Sequence, residues 1–250
     1  MVRVHMAAKD EKTGESQRKQ TRYAVSDDCR IRASISIQSS EPGAVHKDWP
    51  GVLVDLSPGG CHIQISIGAV AYNGDSCVVK LSHGTMKTEV RGILAHYVCS
   101  ARYSVCGVRF NSYAGESDMI LQSFLKAVIA SATLKGGPTD SDRTGQYKEE
   151  YRGPGHTKLV VWRDNKPERT VVAFDYIMAR YAAALATAGP DMFKNKAEVG
   201  FRAAPTEKGG TGAPLTESQT AEARWEFSVA ASNLPKVVEP GIRKFLRLVS

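Results

Sequence analysis

Along residues 29–38 apolar and polar side chains alternate without a break. Ile31, Ala33, Ile35 and Ile37 fall on one side, and Arg30, Arg32, Ser34 and Ser36 on the other. A period of two marks a strand with one face buried and one in water. The alternation returns in residues 61–68, where Cys61, Ile63, Ile65 and Ile67 line up. Between them, residues 51–56 (GVLVDL) form an apolar run of strand length, and residues 75–82, 86–100 and 101–111 supply three more strands. Turn chemistry separates these runs. Residues 39–50 carry Pro and Gly, and Ser57-Pro58-Gly59-Gly60 offers Pro at the second turn position and two glycines for positive φ. Six short strands in succession predict an antiparallel barrel or sandwich. Over residues 116–131 the period changes: Ile120, Leu121, Phe124, Leu125 and Val128 stand at helical spacing, so a helix caps or follows the barrel.

The pattern is weaker further on. Residues 133–157 are rich in Gly, Pro, Asp and charge and read as a linker. Residues 158–162 (KLVVW) predict a strand. Residues 171–190 place Phe174, Ile177, Met178, Tyr181 and Leu185 on one helical stripe that stops at Gly189-Pro190. Residues 196–204 suggest a strand and 206–214 a flexible loop. Residues 216–233 carry two patterns. Thr216 with Gln219 makes a capping box, whereas Trp225, Phe227 and Val229 alternate as in a strand. A short amphipathic piece, 241–249, closes the chain. The expected class is therefore mainly β: a six-stranded antiparallel barrel and its helix, plus a smaller α/β C-terminal region. The expected division is a flexible tail over 1–16, a barrel domain over 17–132, a linker over 133–157 and the C-terminal region over 158–250.

Composition narrows the function classes. In 250 residues, hydrophobic side chains make up 42% and charged ones 24%, which are globular values. No apolar stretch approaches the ~18 residues that a membrane helix needs. The charged N-terminus has no apolar core of a secretory signal. Five cysteines are too few and too odd for a disulfide framework, and point to a reducing cytoplasm. The net charge of +7 allows attraction to an anion, a nucleotide or nucleic acid among them. No stripe of alternating aromatic and basic residues supports a specific nucleic-acid groove.

Two motifs carry chemistry. Arg18-Lys19-Gln20-Thr21-Arg22 has the spacing RxxxR just before the first strand. Asp55-Leu56-Ser57-Pro58-Gly59-Gly60 has the spacing DxSxxG at the turn between the next two. Each alone is weak, since Asp and Ser favour turns with or without a ligand. In this order, flanking one strand of a six-stranded β unit with a following helix, they resemble the PilZ domain family of bacterial cyclic di-GMP receptors. The resemblance covers residues 17–132 and takes in the Arg91-Gly92-Ile93-Leu94 strand and the Gly107-Val108-Arg109-Phe110 ending. It departs from the family in offering Arg18-Lys19 where many members carry paired arginines, and in a long loop over 39–50.

The resemblance implies cyclic di-GMP as ligand, held by Arg18, Arg22, Asp55, Ser57 and Gly60, with Lys19 and Gly59 in lesser roles. The chemistry fits. An arginine fork matches O6 and N7 of a guanine or grips a phosphate, an aspartate accepts from the guanine N1 and N2 donors, and glycine lets backbone approach closely. It further implies a cytoplasmic, non-enzymatic receptor that needs no cofactor and passes its signal to a downstream protein in motility, polysaccharide or biofilm control. The competing reading is a nucleotide-independent scaffold that acts through the C-terminal region. Nothing in the sequence assembles a metal site: no CxxC occurs, and Cys61 and His62, neighbours on a strand, point to opposite faces. Nucleophile-elbow, Walker and dinucleotide-binding patterns are absent too.

Overall fold

The computed structural model describes residues 20–38, 47–111, 116–141, 146–165, 167–185, 199–205 and 212–250. The expected tail over 1–16, Arg18, Lys19 and the Gly189-Pro190 stop lie outside them.

The first half is the expected barrel. After the two-residue β1 (Tyr23–Ala24) come β2 (Arg32–Gln38), β3 (Asp48–Ser57), β4 (Gly60–Ile65), β5 (Ser76–His83), β6 (Met86–Cys99) and β7 (Ser104–Phe110). They pair antiparallel in the order β1-β3-β2-β5-β6-β7-β4, and a β3–β4 pairing closes the ring. Alternation sets which side is inside. Ile35, Leu56, Cys61, Ile63, Val79, Leu94 and Cys106 are fully buried, while most of the alternate positions are half-buried or exposed. Helix α1 (Glu116–Ala132) lays Leu121, Phe124, Leu125 and Val128 into the same core.

The second half corrects two expectations. Residues 133–157 are largely strand: β8 (Lys135–Ser141) pairs with β9 (Tyr147–Arg152). The Gly-Gly-Pro stretch that reads as linker falls in an edge strand with an irregular register between Gly136 and Thr139. An edge is where Pro and a bulge are tolerated. The charges of β9 are neutralised across the sheet, Glu150 by Lys158 at 3.0 Å and Glu149 by Arg163 at 3.0 Å. Residues 171–185, the described part of the expected helix, are not helical. They form the hairpin of β11 (Val171–Ile177) and β12 (Tyr181–Leu185), next to β10 (Lys158–Arg163) and β13 (Gly200–Ala203) in a six-stranded sheet ordered β13-β12-β11-β10-β9-β8. Phe174, Tyr176 and Met178 are the buried side, a period of two hidden by the alanines at 182–184, which favour helix when isolated.

The ambiguous residues 216–233 are helix α2 (Glu217–Ser232), started by the Thr216/Gln219 capping box. The strand-like alternation there has a physical cause. Trp225 and Val229 pack against the barrel core, while Ala223, Phe227, Ala230 and Ala231 pack into the core of the second sheet. A helix buried between two cores loses the polar stripe by which helices are recognised. Phe227 stacks on Phe174 with centroids 5.7 Å apart, and helix α3 (Pro240–Val249) adds Ile242, Phe245 and Leu246 to that core.

Polar contacts join the two halves. The backbone N–H of Ser26 donates to Oδ1 of Asn233 at 2.7 Å, and Nδ2 of Asn233 donates to Oγ of Ser131 at 2.8 Å. Arg30 donates to Oγ of Ser228 and to the carbonyls of Arg247 and Ser250. Arg247 pairs with Asp28, and the indole N–H of Trp225 donates to the carbonyl of His83. No helix among the described residues is long and apolar enough to cross a membrane.

Candidate functional site

The Arg22 end of the first motif meets the second through β1 and a bulge. Tyr23 pairs with Leu56 and Ala24 with Asp55, so the segment carrying Arg22 lies along the end of β3. The β3–β4 register shifts between Leu53 and Asp55, leaving Val54 as an extra residue. A bulge of this kind re-aims the side chains beside it: Val54 and Asp55 both stand away from the core, between buried Leu53 and Leu56. The carbonyl of Val54 accepts from the N–H of Val25 at 2.9 Å, which ties down the leading segment.

Asp55 is the hub. Its Oδ1 lies 3.5 Å from Nη1 of Arg22 and accepts the backbone N–H of His62 at 3.1 Å. Its Oδ2 lies 2.7 Å from Nδ1 of His62. Nη1 of Arg22 is 2.7 Å from Nδ1 and 2.9 Å from Nε2 of the same ring. Nδ1–H donates to Asp55, and Nη1 of Arg22, nearly equidistant from the two ring nitrogens, stands over the face of the imidazole. These side chains keep between about a sixth and a third of their surface in water. A ligand can therefore reach them without unfolding the barrel.

Ser57 and Gly60 play a different part. The Oγ of Ser57 is buried and donates to the carbonyl of Gly60 at 2.9 Å, closing the two-residue turn over Pro58 and Gly59. Gly60 is buried against β7, and a Cβ there would overlap the carbonyl oxygen of Val108. Neither Gly59 nor Gly60 adopts positive φ. The turn needs glycine at 60 for close strand approach, not for a left-handed backbone. Gly59 faces the flexible side chain of Gln20. The structure thus gathers Arg22, Asp55, Ser57, Gly59 and Gly60 at one corner of the barrel. Arg22 and Asp55 present polar atoms outward, whereas Ser57 and Gly60 build the corner.

The two sequence motifs leave out His62, which enters the sequence reading only as a metal-ligand candidate. Its strand position, directly opposite Asp55 across the hairpin, is the signal available. Among the described residues no group of three or more His, Cys, Asp and Glu side chains converges as a metal site would require. Burial pushes the Cys61 thiol well above its ordinary range, helped by the nearby Asp55 charge. That thiol belongs to the core rather than to the site.

Residues 16–127 match the family model of the PilZ domain. Among solved structures the chain is similar to the PilZ domain with c-di-GMP of YcgR from Escherichia coli. That similarity is at 14% identity with a TM-score of 0.33, over 42% of this chain and 86% of that one. No curated protein matches the chain.

Proposed function

We propose that the chain is a cyclic di-GMP receptor whose ligand sits on the outer face of the barrel over Arg22 and Asp55. The observation that carries this reading is the approach of these two side chains, 33 residues apart in sequence, to 3.5 Å on one exposed corner. They supply complementary halves of guanine recognition. The Arg22 fork matches the O6/N7 edge or a phosphate, and the Asp55 carboxylate matches the N1/N2 donors. The match of residues 16–127 to the PilZ family model supports the same ligand class. Arg18 and Lys19, four and three residues before Arg22, would add cation to the ligand's two phosphates. Ser57 and Gly60 support the site by holding the hairpin, and Gly59 leaves room for Gln20.

The output follows from the contacts of residues 25–30. Ligand capture by Arg22 pulls on a segment whose next residues are bonded to α2 and α3 through Ser26, Asp28 and Arg30. In this reading residues 17–132 sense the nucleotide, and residues 133–250 carry the response to a protein partner in cytoplasmic control of motility, polysaccharide or biofilm. The role is one of binding rather than catalysis.

Calorimetric titration with cyclic di-GMP tests the proposal. Saturable binding at micromolar concentration, about −8 kcal/mol, lost in Arg22→Ala, is the expected result. An absence of heat from the wild type at tens of micromolar would return the barrel to a scaffold role.

A further inference from the structure

His62 is placed to do more than fill the corner. Its ring lies across Gly107 of β7, where a Cβ would come within 3.1 Å of both Cδ2 and Nε2. Register agrees with this seat: His62 pairs with Gly107, and Gly107 pairs with His96 of β6. The ring is therefore laid flat on bare backbone. It is held at one nitrogen by Asp55 and capped by Arg22. Among the described residues, Arg109 of β7 and Arg91 and His96 of β6 are further exposed ionisable groups on the neighbouring strands. Arg109 stands two residues from Gly107, and Gln64, the next outward residue of β4, is uncharged.

We infer that His62 is a third ligand-contacting residue of the nucleotide site and that it makes binding proton-linked, tighter as the pH falls through the histidine range. The inference rests on the reading of Arg22 and Asp55 as the cyclic di-GMP site. Without ligand, the Arg22 guanidinium stands over the face of the His62 ring, where its charge opposes a second cation. A ligand that engages the Arg22 fork takes that charge away. The ring then faces an anion carrying two phosphates. A proton on Nε2 makes the ring a cation that donates to phosphate. Asp55 keeps its bond to Nδ1–H and retains lone pairs for guanine, since a carboxylate accepts at about four sites. Protonation also repels the Arg22 guanidinium from the ring and frees it for ligand. Both effects have the same sign. The ligand itself changes no charge between pH 6 and pH 8, whereas histidine does.

Cyclic di-GMP affinity of the full chain, measured at about pH 6 and about pH 8 for the wild type and His62→Gln, decides the matter. The wild type should bind about fivefold tighter at the lower pH, the lower end of ordinary coupling between two sites for a half-exposed pair. It should also take up a fraction of a proton, read from the binding heat in two buffers of different ionisation enthalpy. His62→Gln should still bind, with its pH response flattened and the proton uptake gone. Wild-type binding that is equal at both pH values, or an equal pH response in His62→Gln, would overturn the role of His62 and leave the receptor reading intact. No binding by the wild type at either pH would overturn both. His96→Gln serves as the control: it should keep the wild-type pH response, and loss of that response would assign the proton to the wrong histidine.

Discussion

Gly60→Ala should destabilise the barrel whether or not any nucleotide is present. The added Cβ overlaps the carbonyl oxygen of Val108 and sits 3.2 Å from its carbonyl carbon and 3.4 Å from Cα of Arg109. All three atoms are backbone, so no side chain can turn aside and β4 must move away from β7. Overpacking of this kind costs about 1–3 kcal/mol. The shift also strains two bonds that close the corner, Phe110 N–H to the Gly59 carbonyl at 2.9 Å and Ser57 Oγ to the Gly60 carbonyl at 2.9 Å. Each is worth about 1 kcal/mol, so losing both brings the total to about 3–5 kcal/mol. Urea unfolding followed by circular dichroism reads it directly. Gly59→Ala is the matched comparison, because its Cβ meets only the exposed end of Gln20, and it should cost less than about 1 kcal/mol. Equal midpoints for Gly60→Ala and wild type would refute the strand-approach argument. Weakened nucleotide binding in Gly60→Ala then reports a displaced corner rather than a lost contact.

Other outcomes concern the second half and its junction with the barrel. Burial raises the Glu226 carboxyl from 4.5 to about 7, only partly opposed by the Arg180 charge, and its Oε1 has no hydrogen-bond partner. A group whose folded-state pKa is raised binds more protons in the native state between those two values. Stability is therefore lost as pH rises through that window, by about 3 kcal/mol in all. Glu226→Gln should flatten this slope in thermal melts and raise Tm near pH 8. An unchanged slope would contradict it. Asn233→Ala leaves the N–H of Ser26 without its acceptor and removes one bond to the Ser131 hydroxyl, which still donates within α1, and should cost about 1–3 kcal/mol in urea unfolding. Its nucleotide affinity should hold while ligand-induced protection of α2 in hydrogen exchange disappears. Phe227→Ala opens a hole beside Phe174, Tyr176 and Phe201. A loss of about 3–5 kcal/mol is expected, and one below about 1 kcal/mol would count against a well-packed second core.

How much of the fold is legible in the sequence depends on what each element packs against. Strands β2 to β7 have one wet face and one dry face, so Ile31, Ala33, Ile35 and Ile37 announce themselves by alternation. Helix α1 keeps its helical spacing because one side remains exposed. Helix α2 lies between two cores, so Trp225, Phe227 and Val229 mimic a strand. The β11–β12 hairpin carries Ala182, Ala183 and Ala184, whose local preference is helical and whose strand state comes from the sheet on either side. Strand β8 is hidden by Gly136, Gly137 and Pro138, which mark a linker unless an edge position makes them harmless. At the site, the spacing of Arg22 and Asp55 is readable. The bulge at Val54 that aims Asp55 outward, and the bare Gly107 that seats His62, are properties of strand pairing that no short motif encodes.

The central claim is that Arg22 and Asp55 together hold a guanine nucleotide. Equilibrium dialysis of the full chain against labelled cyclic di-GMP, with unlabelled cyclic di-GMP or cyclic di-AMP as competitor, tests it most directly when repeated on Asp55→Ala. Binding displaced by the guanine compound but not the adenine one, and weakened at least about tenfold in Asp55→Ala, one decade being about 1.4 kcal/mol, is the predicted result. Equal displacement by both compounds, or Asp55→Ala binding as tightly as wild type, would contradict it.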